Sequence, residues 1–380
     1  MQLPETWTAV PLKFRALPKE KVWGGNRIAA MLHLDALAGR PIGEAWVVWE
    51  GLQIEAGPLV GWTLADLVRA DPLSILGRRL AAGETHTPSG GPAFPLLVKI
   101  LDARDTLSVQ VHPQDRYAQE HEGEPFGKAE VWYVLAAEPG ARLIHGVKER
   151  LTRAGAEQAI EGGTLNEHLD FIEVAAGDVI LNLPGTIHAL GDGILLYELQ
   201  QSSDLTYRLY DWDRRDPSRP LHIEKSLDVA RMEPFGKHKV EPVELSESGG
   251  TRAFLCACDY FAAELLRVQS WMVERPRGAC FHLLTILGGK GFLRLAGTTG
   301  VEIDLNRWES LLVPAAVDEY QLRAAADGEP LVVIKSYVPD LVQDVVRPLR
   351  GRGILTEAIL QLGGDPAQSD LGRFLAYPVI

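Results

Sequence analysis

The segment Leu181-Asn182-Leu183-Pro184-Gly185-Thr186-Ile187-His188 limits what this chain can fold into. It recurs position for position as Leu311-Leu312-Val313-Pro314-Ala315-Ala316-Val317-Asp318. The first copy is an apolar strand closed by a Pro-Gly turn. Strand signals dominate the remainder, with a few helical patches between them. The chain therefore reads as mainly β, its second half a worn copy of its first. With 380 residues, 46% of them hydrophobic, it can bury a large core, as two domains or one large composite.

The helical patches have their own punctuation. Thr63-Leu64-Ala65-Asp66 opens with a capping-box pattern ahead of an i, i+3, i+4 apolar stripe. A second helix is predicted from Pro72 to Ala82, stopped by Gly83, followed by a loop from Thr85 to Pro92. Further helices are predicted over Thr152 to Ile160, Ile223 to Met232, and once between Gly353 and Gly364. The polar stretch Glu241 to Gly250 reads as a boundary. The expected division is 1–238 with a helical insertion at about 63–83, then 239–339, then an extension, 340–380, without an assigned role.

Several classes are disfavoured. Cys256, Cys258 and Cys280 are an odd, sparse set with no CxxC pair, which argues against a disulfide framework and for a reducing compartment. Met1-Gln2-Leu3-Pro4-Glu5-Thr6 has neither a basic n-region nor an apolar h-region, so no signal peptide is expected, and no run approaches the ~18 apolar residues of a membrane span. A cytoplasmic protein is expected. A net charge of -13 disfavours nucleic acid or an anionic membrane as partner.

Four residues carry the strongest chemical signal. In Ser108-Val109-Gln110-Val111-His112-Pro113 the side chains alternate, so Gln110 and His112 leave one strand on the same face. Glu130 stands just before Val131-Trp132-Tyr133-Val134-Leu135, and His188 follows the Pro-Gly turn. Two imidazoles, a carboxylate and an amide oxygen make a plausible Zn²⁺ set with room for a water or substrate oxygen. Taken singly, His112 reads as a satisfied buried histidine and Glu130 as a surface charge. Gln110 is the weaker ligand and could merely orient His112. Trp46 and Trp49 read as core. Tyr207 to Arg215 reads as a site rim, with a solvated charged strand as the alternative.

This order of His, Glu, Gly, short strand, Pro-Gly and His is similar to the cupin signature. Gln110 stands where the usual first His would be, and the stretch from His112 to Glu130 is long for a compact cupin. Both departures point to one branch: the chain resembles type I mannose-6-phosphate isomerase (phosphomannose isomerase), in particular its short bacterial form. The resemblance runs through Val22-Trp23-Gly24-Gly25, Gly43-Glu44-Ala45-Trp46 and Phe94 to Asp102. It continues through Ser108 to Asp115, Gly127 to Leu135, Gly185 to Leu190, and Glu198 to Arg208. It covers roughly residues 10–235 well and the rest loosely.

The resemblance implies two cupin-like (jelly-roll) β-barrels in tandem with short helical insertions, only the first holding metal, since Asp318 replaces the final His. It implies one Zn²⁺ per chain on Gln110, His112, Glu130 and His188. It further implies an aldose–ketose isomerase that interconverts mannose 6-phosphate and fructose 6-phosphate through a cis-enediol(ate). Lys128 is then the acid/base or enediolate contact, Arg208 the active-site arginine and Asp204 a candidate for ring opening. Glu198 would hold Lys128 or Arg208 in place, and Lys99, Trp23 and His222 would contact substrate. With a net negative chain, the site must supply its own cations for a phosphate, and Arg214, Arg215 and Lys225 are spare ones nearby in sequence. An isomerase of another sugar phosphate, such as glucose 6-phosphate, and a non-enzymatic sugar-binding bicupin are the alternatives. The expected partner is a sugar phosphate, and the expected state a monomer or homodimer.

Overall fold

The computed structural model describes residue 3 and residues 9–57, 59–81, 92–214, 216–297, 302–326 and 328–375. Their strands build four antiparallel sheets. A six-stranded sheet runs Leu17–Gly25, Ile42–Val48, Leu96–Asp102, Ile194–Gln201, Glu130–Ala137, Val179–Asn182 from edge to edge. A five-stranded sheet runs Tyr207–Tyr210, Val109–Val111, His188–Ala189, Arg142–Val147, Leu169–Glu173.

The second half supplies a seven-stranded sheet in the order Val243–Glu247, Gly250–Ala257, Ala262–Val268, Leu331–Tyr337, His282–Gly288, Ser310–Val313, Leu12–Lys13. It also supplies a four-stranded sheet, Trp271–Glu274, Tyr320–Ala324, Gly291–Leu295, Glu302–Leu305. The first six strands of the seven follow the chain order of the six-stranded sheet. The N-terminal segment crosses over to complete the last edge, Leu12 pairing with Leu312.

Strand alternation explains how one sheet serves two interiors. Val98, Ile100, Tyr197 and Leu199 face a large core shared with Phe254, Leu283, Ile334 and Leu312 of the second half. Across that core the Tyr197 hydroxyl and Ser336 Oγ lie 3.0 Å apart in a hydrogen bond. The intervening residues Lys99, Trp132 and Glu198 belong to the opposite face, where the polar site lies. In the second half Leu266, Leu284 and Val333 likewise turn away from the shared core, into a core formed with Leu293 and Leu322 of the four-stranded sheet.

The helices follow the sequence with instructive departures. Thr63 caps Leu64–Ala70 with a full capping box to Asp66. The helix predicted over Pro72 to Ala82 is broken into Pro72–Leu76 and Arg78–Ala81. Gly77 sits between them at φ +86°, left-handed backbone that interrupts an α-helix. The predicted stop at Gly83 and most of the loop predicted after it lie outside the described residues. Thr152 caps Arg153–Glu161 as the glycines suggest, while Ile223–Val229 stops short of Met232. Among the elements not foreseen, two stand out. Asp115–Glu122 is a helix filling the long stretch between His112 and Glu130. The polar boundary stretch contains an edge strand, Val243–Glu247, whose alternating burial lets polar residues face outward.

The C-terminal extension is packed rather than loose. Leu341–Val346 forms a π-helical turn and Thr356–Gln361 a short helix. Leu341, Val345, Leu349, Ile359 and Leu371 enter the shared core. Cys256, Cys258 and Cys280 are buried and unpaired. No helix among the described residues is long and apolar enough to cross a membrane.

Candidate metal centre and its adjoining cavity

Glu130 and His188 open two strands and His112 directly follows a third, Val109–Val111, and one ligand atom from each lies within 4.8 Å of the others. All three are at most 1% exposed. The backbone between them is tied: the Gly185 amide donates to the His112 carbonyl at 2.9 Å. Gly185 has φ +89°, and a Cβ there would lie 2.9 Å from the Val229 carbonyl oxygen. Glycine is what lets the Pro-Gly turn deliver His188 to this spot.

The ligand atoms are prepared for a cation. His188 Nδ1 donates to the Thr186 carbonyl at 2.9 Å, which fixes the tautomer and leaves Nε2 toward Glu130 Oε1, 3.2 Å away. His112 Nε2 is 3.5 Å from Glu130 Oε2. Both His112 ring nitrogens are buried without a hydrogen-bond partner, a costly arrangement that a metal ion would resolve. Burial, then the positive charge of Lys128, pushes His112 down to about 3, so the imidazole is the neutral, ligating form. Burial works against the charge on Glu130, yet Lys128 and the two histidines outweigh it and hold the carboxyl well below its ordinary range. The residues therefore fit a divalent ion.

Gln110 stands directly opposite His188 in the sheet, its amide 3.2 Å from His188 Nε2. Rotating that amide presents its oxygen instead.

A cavity of about 410 Å³ opens beside this set. Its lining brings together Trp23, Lys99, Gln110, Lys128, Glu198, Asp204, Arg208 and His222. Every residue expected to contact substrate or take part in chemistry thus faces one space. Lys128 Nζ is 3.0 Å from Glu130 Oε2. Glu198 departs from its expected partner: it pairs with Lys99 at 3.2 Å and accepts from Trp132 Nε1 at 2.8 Å, not from Lys128 or Arg208. Cross-strand register explains this, since Glu198 stands opposite Lys99 on one side and Trp132 on the other. Burial raises the Glu198 carboxyl, with Lys99 opposing and Glu130 reinforcing. Burial also opposes the charge on Lys99, but Glu198, Glu44, Asp204 and Glu130 more than restore it.

Arg208 stands opposite Gln110 on the neighbouring strand. It donates from Nη1 to the Pro220 carbonyl at 2.9 Å, while its Nε is buried without a partner. Its main-chain N–H donates to His222 Nδ1 at 3.3 Å. Asp204 is exposed at the rim.

The sequence did not single out Glu44, Lys21 or Arg219, all of which line the cavity. Glu44 accepts from Trp46 Nε1 at 2.8 Å and pairs with Lys21 at 2.9 Å. Burial opposes its charge, but Lys99 and Lys21 prevail and bring it to about 2. A glutamate inside the otherwise apolar run Ile42–Val48 was the available signal. Arg219 had none, because only the tertiary loop returns it to the cavity. Two of the expected spare cations are committed elsewhere: Arg214 to Asp105 and Asp211, Lys225 to Glu122. Arg215 lies outside the described residues.

Fold and site define a mainly β protein with a buried His–Glu–His set at the edge of a polar, charge-lined cavity. Residues 12–136 match the family model for the phosphomannose isomerase type I catalytic domain. The chain is 35% identical over 337 residues to mannose-6-phosphate isomerase of Streptococcus mutans, covering 87% of this chain and 98% of that protein. It therefore belongs to the type I mannose-6-phosphate isomerase family. Among solved structures, mannose 6-phosphate isomerase of Bacillus subtilis is similar at 27% identity with a TM-score of 0.74, over 86% of this chain and 99% of that one. A zinc-bound mannose 6-phosphate isomerase shares the fold at 15% identity and a TM-score of 0.66, over 86% of this chain and 99% of that one.

Proposed function

We propose that this protein interconverts mannose 6-phosphate and fructose 6-phosphate, with one Zn²⁺ per chain held by His112, Glu130, His188 and the Gln110 oxygen. The observation that carries the reading is the placement of Lys128, 3.0 Å from the ligand Glu130, on the wall of the cavity that Arg208, Glu198 and Lys99 also line. Zinc, when bound, supplies Lewis acidity toward the two adjacent oxygens of the open-chain sugar. The rest falls to side chains. Lys128 Nζ is the group placed to move the proton between C2 and C1. Arg208 neutralises charge that develops on the enediolate oxygens, and Asp204 at the rim assists ring opening. Glu198 and Lys99 hold each other and fix the cavity wall, so Glu198 acts through Lys99 and Trp132. Trp23 and His222 border the sugar phosphate.

The same reading takes the four sheets as two cupin-like barrels, 1–238 and 239–339, followed by the extension 340–380, of which residues 340–375 are described. It places the protein in the cytoplasm as a monomer or homodimer. The deciding experiment is turnover by metal-loaded protein offered mannose 6-phosphate and, separately, glucose 6-phosphate. Conversion of the first is expected. Conversion of glucose 6-phosphate alone overturns the substrate, and tight binding without turnover overturns the enzyme reading.

A further inference from the structure

The six- and seven-stranded sheets agree in pairing register as well as in strand order. Lys99 stands opposite Trp46 and Glu198. At the same crossing of the second half, Glu264 stands opposite Phe254 and Lys335. Glu44 lies two residues before Trp46, and Arg252 two before Phe254. Glu130 lies two before Trp132, which faces Glu198; His282 lies two before Leu284, which faces Lys335. The trio Glu44, Lys99, Glu198 of the first cavity thus returns as Arg252, Glu264, Lys335, with every charge reversed.

The reversed trio lines a cavity of its own, about 280 Å³ in volume. Lys335 Nζ is 2.9 Å from Glu264 and 2.6 Å from Glu274. Arg252 pairs with both carboxylates, and the Tyr337 hydroxyl donates to Glu264 at 2.6 Å. Each buried carboxylate has two cationic partners, so a metal ion would have to displace Lys335 or Arg252. The lining holds Arg79, Arg252, Arg275 and Lys335 against Glu264, Glu274 and Asp344; Arg79 is paired with Asp344 at 2.8 Å and Arg252 also with Glu247 at 2.6 Å, so Arg275 is the cation whose partner lies outside the buried network. Arg275 is 45% exposed, and its partner Glu319 is not part of the lining. His282 lines the same space at 8% exposure. Its Nδ1 bonds the Tyr320 hydroxyl at 3.0 Å, and no hydrogen bond of its Nε2 is found among the described residues. A ring nitrogen left unpaired by the protein beside a polar cavity is free to meet a hydroxyl or water.

We propose that this cavity is a second small-molecule site, taking a small hydroxylated anion of the sugar-phosphate class. Arg275, the more exposed cation, meets the anionic group, and His282 meets a hydroxyl deeper in. The choice of ligand class rests on the proposed activity. The lining draws on the helical insertion through Arg79, on the second half, and on the C-terminal extension through Gln343 and Asp344. An occupant therefore ties together three segments distant in sequence.

Calorimetric titration of the zinc-loaded full chain with fructose 6-phosphate, allowed to equilibrate with its isomer, tests this. Two equivalents per chain are expected. Arg275→Ala, a change at a half-exposed side chain, should weaken one of them at least tenfold, as should His282→Gln. His222→Ala, in the first cavity, should weaken only the other. A single equivalent that His222→Ala weakens and Arg275→Ala leaves untouched overturns the second site. An equivalent sensitive to Arg275→Ala, with none sensitive to His222→Ala, supports it and counts against the substrate reading of the first cavity.

Discussion

Among single residues, Lys128 and Arg208 do different work in the proposed reaction, and kinetics can separate them. Lys128 sits against Glu130 and is the proton carrier, so Lys128→Ala should lower kcat by ~10² or more, the usual size of an acid–base contribution, with metal retained. Arg208 acts on charge present only late in the step, so Arg208→Ala should cost kcat more than substrate affinity, again by ~10². A change in KM alone for Lys128→Ala would move that residue to the phosphate. A second expectation concerns acid stability. Burial, then Lys335, pushes His282 down to about 3 from an ordinary value near 6.5. Between those values the unfolded chain binds a proton that the folded chain refuses. Stability is then full above pH 6.5 and declines as pH falls toward 3, by about 1.4 kcal/mol per unit for this one group. His145, also held near 3 by burial and His238, adds to the slope. Urea unfolding at pH 7, 6 and 5 should show the decline, flatter in His282→Gln; an unchanged slope in that variant rejects the assignment.

The turn Pro184–Gly185 is the element on which the metal centre depends. Its amide holds the His112 main chain while its left-handed backbone aims His188. Gly185→Ala should destabilise by about 1–3 kcal/mol through backbone strain and weaken metal binding beyond what that loss alone causes. Wild-type metal affinity in a destabilised Gly185→Ala would show that the turn is structural only. Elements also mark where sequence reading succeeds. Capping at Thr63 and Thr152 is local, so both helices were legible. Gly77 was overlooked because one glycine in a helical pattern is read as tolerated until its φ is known. The helix Asp115–Glu122 escaped notice because its apolar face is small, only Ala118 being buried.

For the whole molecule, the asymmetry between halves yields the last prediction. Elemental analysis should give near one zinc per chain, lost in His112→Ala and His188→Ala and kept in Asp318→Ala, whose side chain is exposed. Chelation should abolish turnover and lower the melting temperature, because an ion bound only by the folded chain stabilises it. Two equivalents, or full metal in both histidine variants, would reject the site. The sequence by itself determined the β character, the repeated strand and turn, and the candidate metal set His112, Glu130 and His188, because strand alternation and turn chemistry act over a few residues; the residues around the cavity came from the resemblance to a known family. Only the tertiary structure decided that Glu198 holds Lys99, that Arg219 reaches the cavity, that the C-terminal extension is core, and that the second half repeats the buried charges with signs reversed. Those facts depend on cross-strand register, which pairs residues tens to hundreds of positions apart and leaves no local trace in the chain.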